Sequence, residues 1–64
     1  METNNKPQDV TRIAEAVRAA CVQAARQGYE RAAADGLCDE GALEVALDAI
    51  RSLDVESLLR ELKP

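Results

Sequence analysis

The sequence predicts an all-α protein: an antiparallel helical hairpin with a long first helix, a second helix and a short third helix. Two observations support this prediction. Apolar residues recur at helical spacing on both sides of a single strong chain reversal around Gly36. Alanine, the best helix former, is the commonest apolar residue. Because a short connection between two helices usually makes them antiparallel neighbours, the two halves should fold back on each other.

The first helix should begin near Pro7 and end near Ala34, after a disordered tail at residues 1–6. Proline suits the first turn of a helix because its missing N–H would be unsatisfied there anyway. The apolar stripe is bulky in its first half and made of small residues in its second half, where Gly28 lies. Glycine costs about 1 kcal/mol relative to alanine inside a helix, so we expect Gly28 to accommodate a close neighbour. Residues 7–64 should form one small domain.

The reversal contains both a stop signal and a start signal for helices. Gly36 suits the left-handed position after a helix C-terminus, and Leu37 suits the apolar position that follows in a Schellman ending. Asp39 should cap the second helix by accepting backbone N–H groups that have no partner within the helix. This helix should end near Ser52. Its inner face is expected to consist of Leu43, Ala46, Leu47 and Ile50.

The third helix should extend from Asp54 to about Lys63. Asp54 can cap its first turn, and Leu53 and Leu58 have the spacing of a hydrophobic staple, which fixes the angle at which the chain enters a helix. An apolar stripe through this segment gives it a side that can pack against the rest of the chain.

A hairpin of this size should be too thin to bury a sufficient core. The chain has 64 residues, with no Phe or Trp and one Tyr, and chains this short usually need a staple or an oligomer to be stable. One apolar side of the hairpin stays open, so we predict that two copies pair into a homodimer resembling a four-helix bundle. The predicted packing and self-association residues are Val10, Ile13, Val17, Cys21, Ala24, Gly28, Leu43, Leu47, Ile50, Leu58 and Leu62.

The composition argues against several functional classes. A net charge of −4 disfavours binding to nucleic acid and to anionic membranes, and Asp39 and Glu40 would repel DNA from the second helix of a helix-turn-helix reader. The chain has no histidine and no glycine-rich phosphate loop, so we expect no enzymatic activity, no metal site and no cofactor. The polar N-terminus lacks an apolar signal segment, which predicts a cytoplasmic protein.

The remaining prediction is a non-enzymatic accessory or regulatory module that acts through protein–protein contacts, with an unidentified partner. Two alternatives stay open. Cys38 precedes a helix, a position that favours a reactive thiolate, and could serve a redox switch, although the adjacent Asp39 and Glu40 oppose that reactivity. Glu40, Glu44 and Asp48 form an acidic ridge at helical spacing. This ridge could dock a basic partner, making the chain an acidic antagonist of a DNA-binding protein.

Overall fold

The computed structural model describes residues 7–62, with side chains from Asp9 onward, and these residues form three helices. Helix α1 spans Pro7–Ala34, α2 spans Asp39–Arg51 and α3 spans Val55–Glu61. No strand occurs within this range, so the predicted all-α class is confirmed. The tail predicted at residues 1–6 lies outside the described residues. Helix α3 ends at Glu61, with Leu62 as its C-cap, two residues before the predicted end near Lys63.

The connection between α1 and α2 is the Schellman ending that the sequence predicts. Gly36 adopts a φ of 97°, a conformation that residues with a Cβ rarely adopt. The Leu37 backbone N–H donates to the Ala32 carbonyl at 3.0 Å, and the Gly36 N–H donates to the Ala33 carbonyl at 3.0 Å. These two hydrogen bonds satisfy carbonyls that would otherwise be free at the end of α1.

The start of α2 differs from the prediction by one residue. Cys38, not Asp39, is the N-cap, and it has no side-chain capping hydrogen bond. Its carbonyl accepts the first bond of the helix, from the Ala42 N–H at 2.8 Å. Asp39 is therefore the first helical residue, where its charge favours the positive end of the helix dipole. The Asp39 carboxylate does not cap the helix and instead accepts a hydrogen bond from the Tyr29 hydroxyl of α1.

Helices α1 and α2 pack closely at Gly28, which is buried. A Cβ placed on Gly28 would lie 3.2 Å from the Cβ of Ala49, 3.3 Å from the carbonyl oxygen of Val45 and 3.4 Å from the Cα of Ala46. The backbone of α2 thus occupies the space that a side chain would need, in agreement with the close neighbour expected at this glycine. The apolar residues buried beside this contact are small: Ala32, Ala42 and Ala46.

The predicted inner face of α2 is wrong at two of its four positions. Leu43 and Leu47 are 52% and 38% exposed, whereas Ala42 and Ala46 are buried and Ile50 is half-buried. The close approach at Gly28 explains this difference, because a helix that comes so near to α1 can present only small side chains to it. The leucines are turned to the flank of the helix pair.

Helix α3 follows a three-residue break after the end of α2, made of Ser52, Leu53 and Asp54. The Asp54 carboxylate caps it as predicted, accepting the Ser57 N–H at 3.0 Å. The far end of α3 reaches the beginning of α1, where the Arg12 guanidinium donates to the Leu62 carbonyl at 3.0 Å. Contact between α1 and α3 is otherwise slight, and the molecule is long and narrow, with extents of 50 × 16 × 16 Å.

Candidate functional site

The most distinctive surface of the molecule is an apolar flank on α2. Leu43 and Leu47 are one helical turn apart and both exposed, and Ile50 is half-buried on the same flank three positions later. Exposed leucines are ordinary when single. These leucines are neighbours, and they are larger than any side chain that is buried among residues 9–62.

Val22 of α1 lies on the same side of the helix pair. The Tyr29 hydroxyl donates to the Asp39 carboxylate at 2.9 Å. The side of α1 that carries Tyr29 and the side of α2 that carries Asp39 therefore belong to the same face of the helix pair. Val22 precedes Tyr29 by seven positions, which is two helical turns, and Leu43 follows Asp39 by four, which is about one turn. Val22 is 52% exposed. We call the surface formed by Val22, Leu43, Leu47 and Ile50 the leucine face.

The hydrogen bond between Tyr29 and Asp39 lies at the end of the leucine face nearest the connection. The Asp39 carboxylate raises the pKa of Tyr29 above its ordinary value, first through the hydrogen bond that it accepts and then through its negative charge. The hydrogen bond from the Tyr29 hydroxyl therefore ties α1 to the first turn of α2.

The acidic ridge of Glu40, Glu44 and Asp48 lies along the outer side of α2, and all three side chains are exposed. Arg51 lies 3.7 Å from the Asp48 carboxylate, so the end of the ridge nearest α3 is paired with a cation. A shallow open groove is lined by Glu44, Val45, Asp48 and Arg51. An exposed pair of this kind contributes at most about 1 kcal/mol, and the ridge has the character of a solvated surface.

The two cysteines form no disulfide and lie in different environments. Cys21 is half-buried on the α1 side that faces α2, and Cys38 is exposed at the connection. Among the described residues, no group of three His, Cys, Asp or Glu side chains is arranged to hold a metal ion. No helix within residues 7–62 is both long enough and apolar enough to cross a membrane.

The other predicted packing residues are distributed along the length of the helix pair. On α1, Gly28 is buried, Val10 is 51% exposed, and the rest are half-buried. These half-buried residues are Ile13, Val17, Cys21 and Ala24. Leu58 of α3 and the C-cap residue Leu62 are half-buried, while Leu59 is 40% exposed.

The residues of α2 that contact α1 were missed in part by sequence reasoning. Val45 and Ala49 line the contact at Gly28, and Ala42 is the most buried side chain of α2. A signal for them was present, because Ala42, Ala46 and Ala49 repeat at helical spacing, as do the small residues around Gly28. Packing the small residues of α2 against the small residues of α1 would have identified the contact between the two helices. It would also have placed the leucines outside that contact.

No family model matches this chain, and no curated protein or solved structure matches it either. Its functional interpretation therefore depends on the geometry and chemistry of its own residues.

Proposed function

We propose that this chain is a small non-enzymatic protein-interaction module, an antiparallel helical hairpin that acts as a homodimer in an accessory or regulatory role. One observation carries the proposal. Among residues 9–62, the apolar side chains that are buried are alanines, while seven large apolar side chains are at least 38% exposed. These are Val10, Val22, Leu37, Leu43, Leu47, Val55 and Leu59.

The antiparallel hairpin is supported by the order of the contacts. Gly28 lies against Ala46, and Arg12, sixteen positions earlier, reaches Leu62, sixteen positions later than Ala46. Each step toward the start of α1 is thus matched by an equal step toward the end of the chain, as expected when two helical segments are joined by a short connection.

Self-association is supported by the amount of surface left in contact with water. The chain exposes 5108 Å², whereas a compact monomer of its 6.9 kDa mass would expose about 4,000 Å². A long, narrow helix pair exposes more surface than a compact protein of the same mass, and the exposed Leu43 and Leu47 lie within that surface. A second copy packed along the pair would remove these leucines from water.

Sedimentation velocity over a range of protein concentrations tests this proposal. The wild-type chain should sediment as a dimer, and the double variant Leu43→Gln/Leu47→Gln should shift to monomer. Because both leucines are already exposed within one chain, the loss should affect association and not the fold of the chain. Glutamine is also a good helix former, which limits any local effect.

Ala34→Gln provides a matched control, since Ala34 is exposed and lies about 120° around α1 from Val22. This variant should remain dimeric. A wild-type chain that stays monomeric at all concentrations would refute the proposal, as would a double variant that associates as strongly as the control.

A further inference from the structure

We propose that, in the dimer, α1 of each copy packs over α2 of the other through the leucine face, so that the two-fold axis runs parallel to the helices. The inference rests on the proposed self-association and specifies its geometry. The competing geometry has a two-fold axis perpendicular to the helices, which would place α1 over α1 and α2 over α2. Both arrangements would cover the leucine face, but they pair different side chains.

Side-chain size favours α1 over α2. On the leucine face, α2 contributes Leu43 and Leu47, while the same side of α1 carries Val22 and Tyr29, with Ala25 between them and Ala33 beyond. A perpendicular axis would oppose the leucines of one α2 to the leucines of the other, which crowds that half of the interface. The parallel axis sets the leucines against the α1 side, where two of these four residues are alanines, and alternation of large and small side chains gives a well-packed interface.

Charge favours the same arrangement. Helix α1 contains four arginines and three acidic residues, a net charge of +1, whereas α2 contains four acidic residues and one arginine, a net charge of −3. Packing α2 on α2 would juxtapose two acidic helices, and like charges across an interface are unfavourable and select against that pairing. Packing α1 on α2 brings opposite charges together. Arg26, four positions after Val22, would then share an edge of the interface with the partner's Glu44.

Cross-linking of single-cysteine variants distinguishes the two geometries. The background Cys21→Ala/Cys38→Ser removes the native thiols, and Val22→Cys or Leu47→Cys places one thiol on each helix of the leucine face. The contact between Gly28 and Ala46 places Val22 at the level of Ser52. Leu47 is five residues from that level, about 7.5 Å along the axis, and a short bismaleimide reagent spans this separation.

The Val22→Cys and Leu47→Cys chains are mixed, allowed to exchange subunits and treated with the reagent. Thiols held in an interface meet at an effective concentration of about 1 mM, so at roughly 10 µM protein the mixed product should form about 100-fold faster than a product from chance encounters. Gln23→Cys measures chance encounters, since Gln23 is exposed next to Val22 but points about 100° away around α1. Far-UV circular dichroism checks that each variant retains its helical content.

Each outcome decides the geometry. Preferential formation of the mixed product supports α1 over α2. Cross-linking of Val22→Cys chiefly with itself refutes it in favour of the perpendicular axis. Rates no higher than the Gln23→Cys control in a protein that sediments as a dimer refute the leucine face as the interface, while leaving self-association intact. A chain that sediments as a monomer refutes self-association and this geometry with it.

Discussion

Replacing Gly28 with leucine should test the close contact between α1 and α2. The position is buried, and even a Cβ would come within 3.4 Å of three atoms of α2, two of which belong to the backbone. A leucine adds three further carbons to this Cβ, so α2 would have to move away from α1. Forcing extra carbon atoms into a packed site typically costs about 1–3 kcal/mol.

The helix propensity of the new residue changes the stability in the opposite direction. Leucine is a better helix former than glycine by nearly 1 kcal/mol, which offsets part of the packing penalty. With the penalty near its upper value, because backbone atoms cannot rotate away as a side chain would, Gly28→Leu should lower the free energy of unfolding by about 2 kcal/mol. Gly28→Ala should change it by less than about 1 kcal/mol, since a displacement of α2 by a few tenths of an ångström relieves its contacts and the helix gains propensity.

Urea unfolding followed by far-UV circular dichroism measures these differences. All variants should be compared at one protein concentration, because the stability of a self-associating chain depends on concentration. Ala19→Leu is the control, as it adds a leucine to an exposed position of the same helix. A Gly28→Leu chain as stable as the wild type or the control would refute the conclusion that α2 packs directly on Gly28.

Four further predictions test other parts of the structure. Gly36→Ala should lower the free energy of unfolding by about 1–2 kcal/mol, because φ is 97° at this residue, and Gly36→Asn should restore part of the loss in the same urea experiment. Asp54→Ala removes the cap of α3 and should cost about 1 kcal/mol, with faster amide hydrogen exchange confined to α3, whereas Asp54→Asn should behave like the wild type. The raised pKa of Tyr29 means that its neutral form is favoured by folding. The resulting stability is present below the ordinary tyrosine pKa, about 10, and is lost as pH rises through the folded-state value, so Tyr29→Phe should show a smaller decline in stability in alkaline solution. Cys38, exposed and without a capping hydrogen bond, should alkylate at neutral pH at the rate of a thiol in an unstructured peptide, and a much faster rate would favour the redox-switch alternative.

Local signals predicted the elements of this fold because each acts within one or two helical turns. Gly36 ends α1 since the backbone there requires a left-handed conformation. Asp54 begins α3 since its carboxylate reaches an N–H three residues along the chain. At Asp39 the same reasoning failed, because a carboxylate next to a helix start can serve as a cap or bond to another helix, and only the position of Tyr29 decides between them.

The candidate site was less predictable than the helices, because it depends on how close α1 and α2 come. From periodicity alone, the leucines of α2 were expected to face α1, since the largest apolar side chains give the greatest burial. In the structure the two helices lie closer together than leucines would allow. The backbone of α2 packs against Gly28, and buried alanines make the surrounding contact.

The sequence by itself thus determined the all-α class, the ends of α1, the turn at Gly36 and the cap of α3. Those features depend on spacing, backbone conformation and side chains that act on their own neighbourhood. Only the tertiary structure decided which stripe of α2 meets α1, and therefore that Leu43 and Leu47 form an exposed surface. Two apolar stripes on one helix satisfy the same periodicity, and the choice between them depends on the shape of the opposing helix.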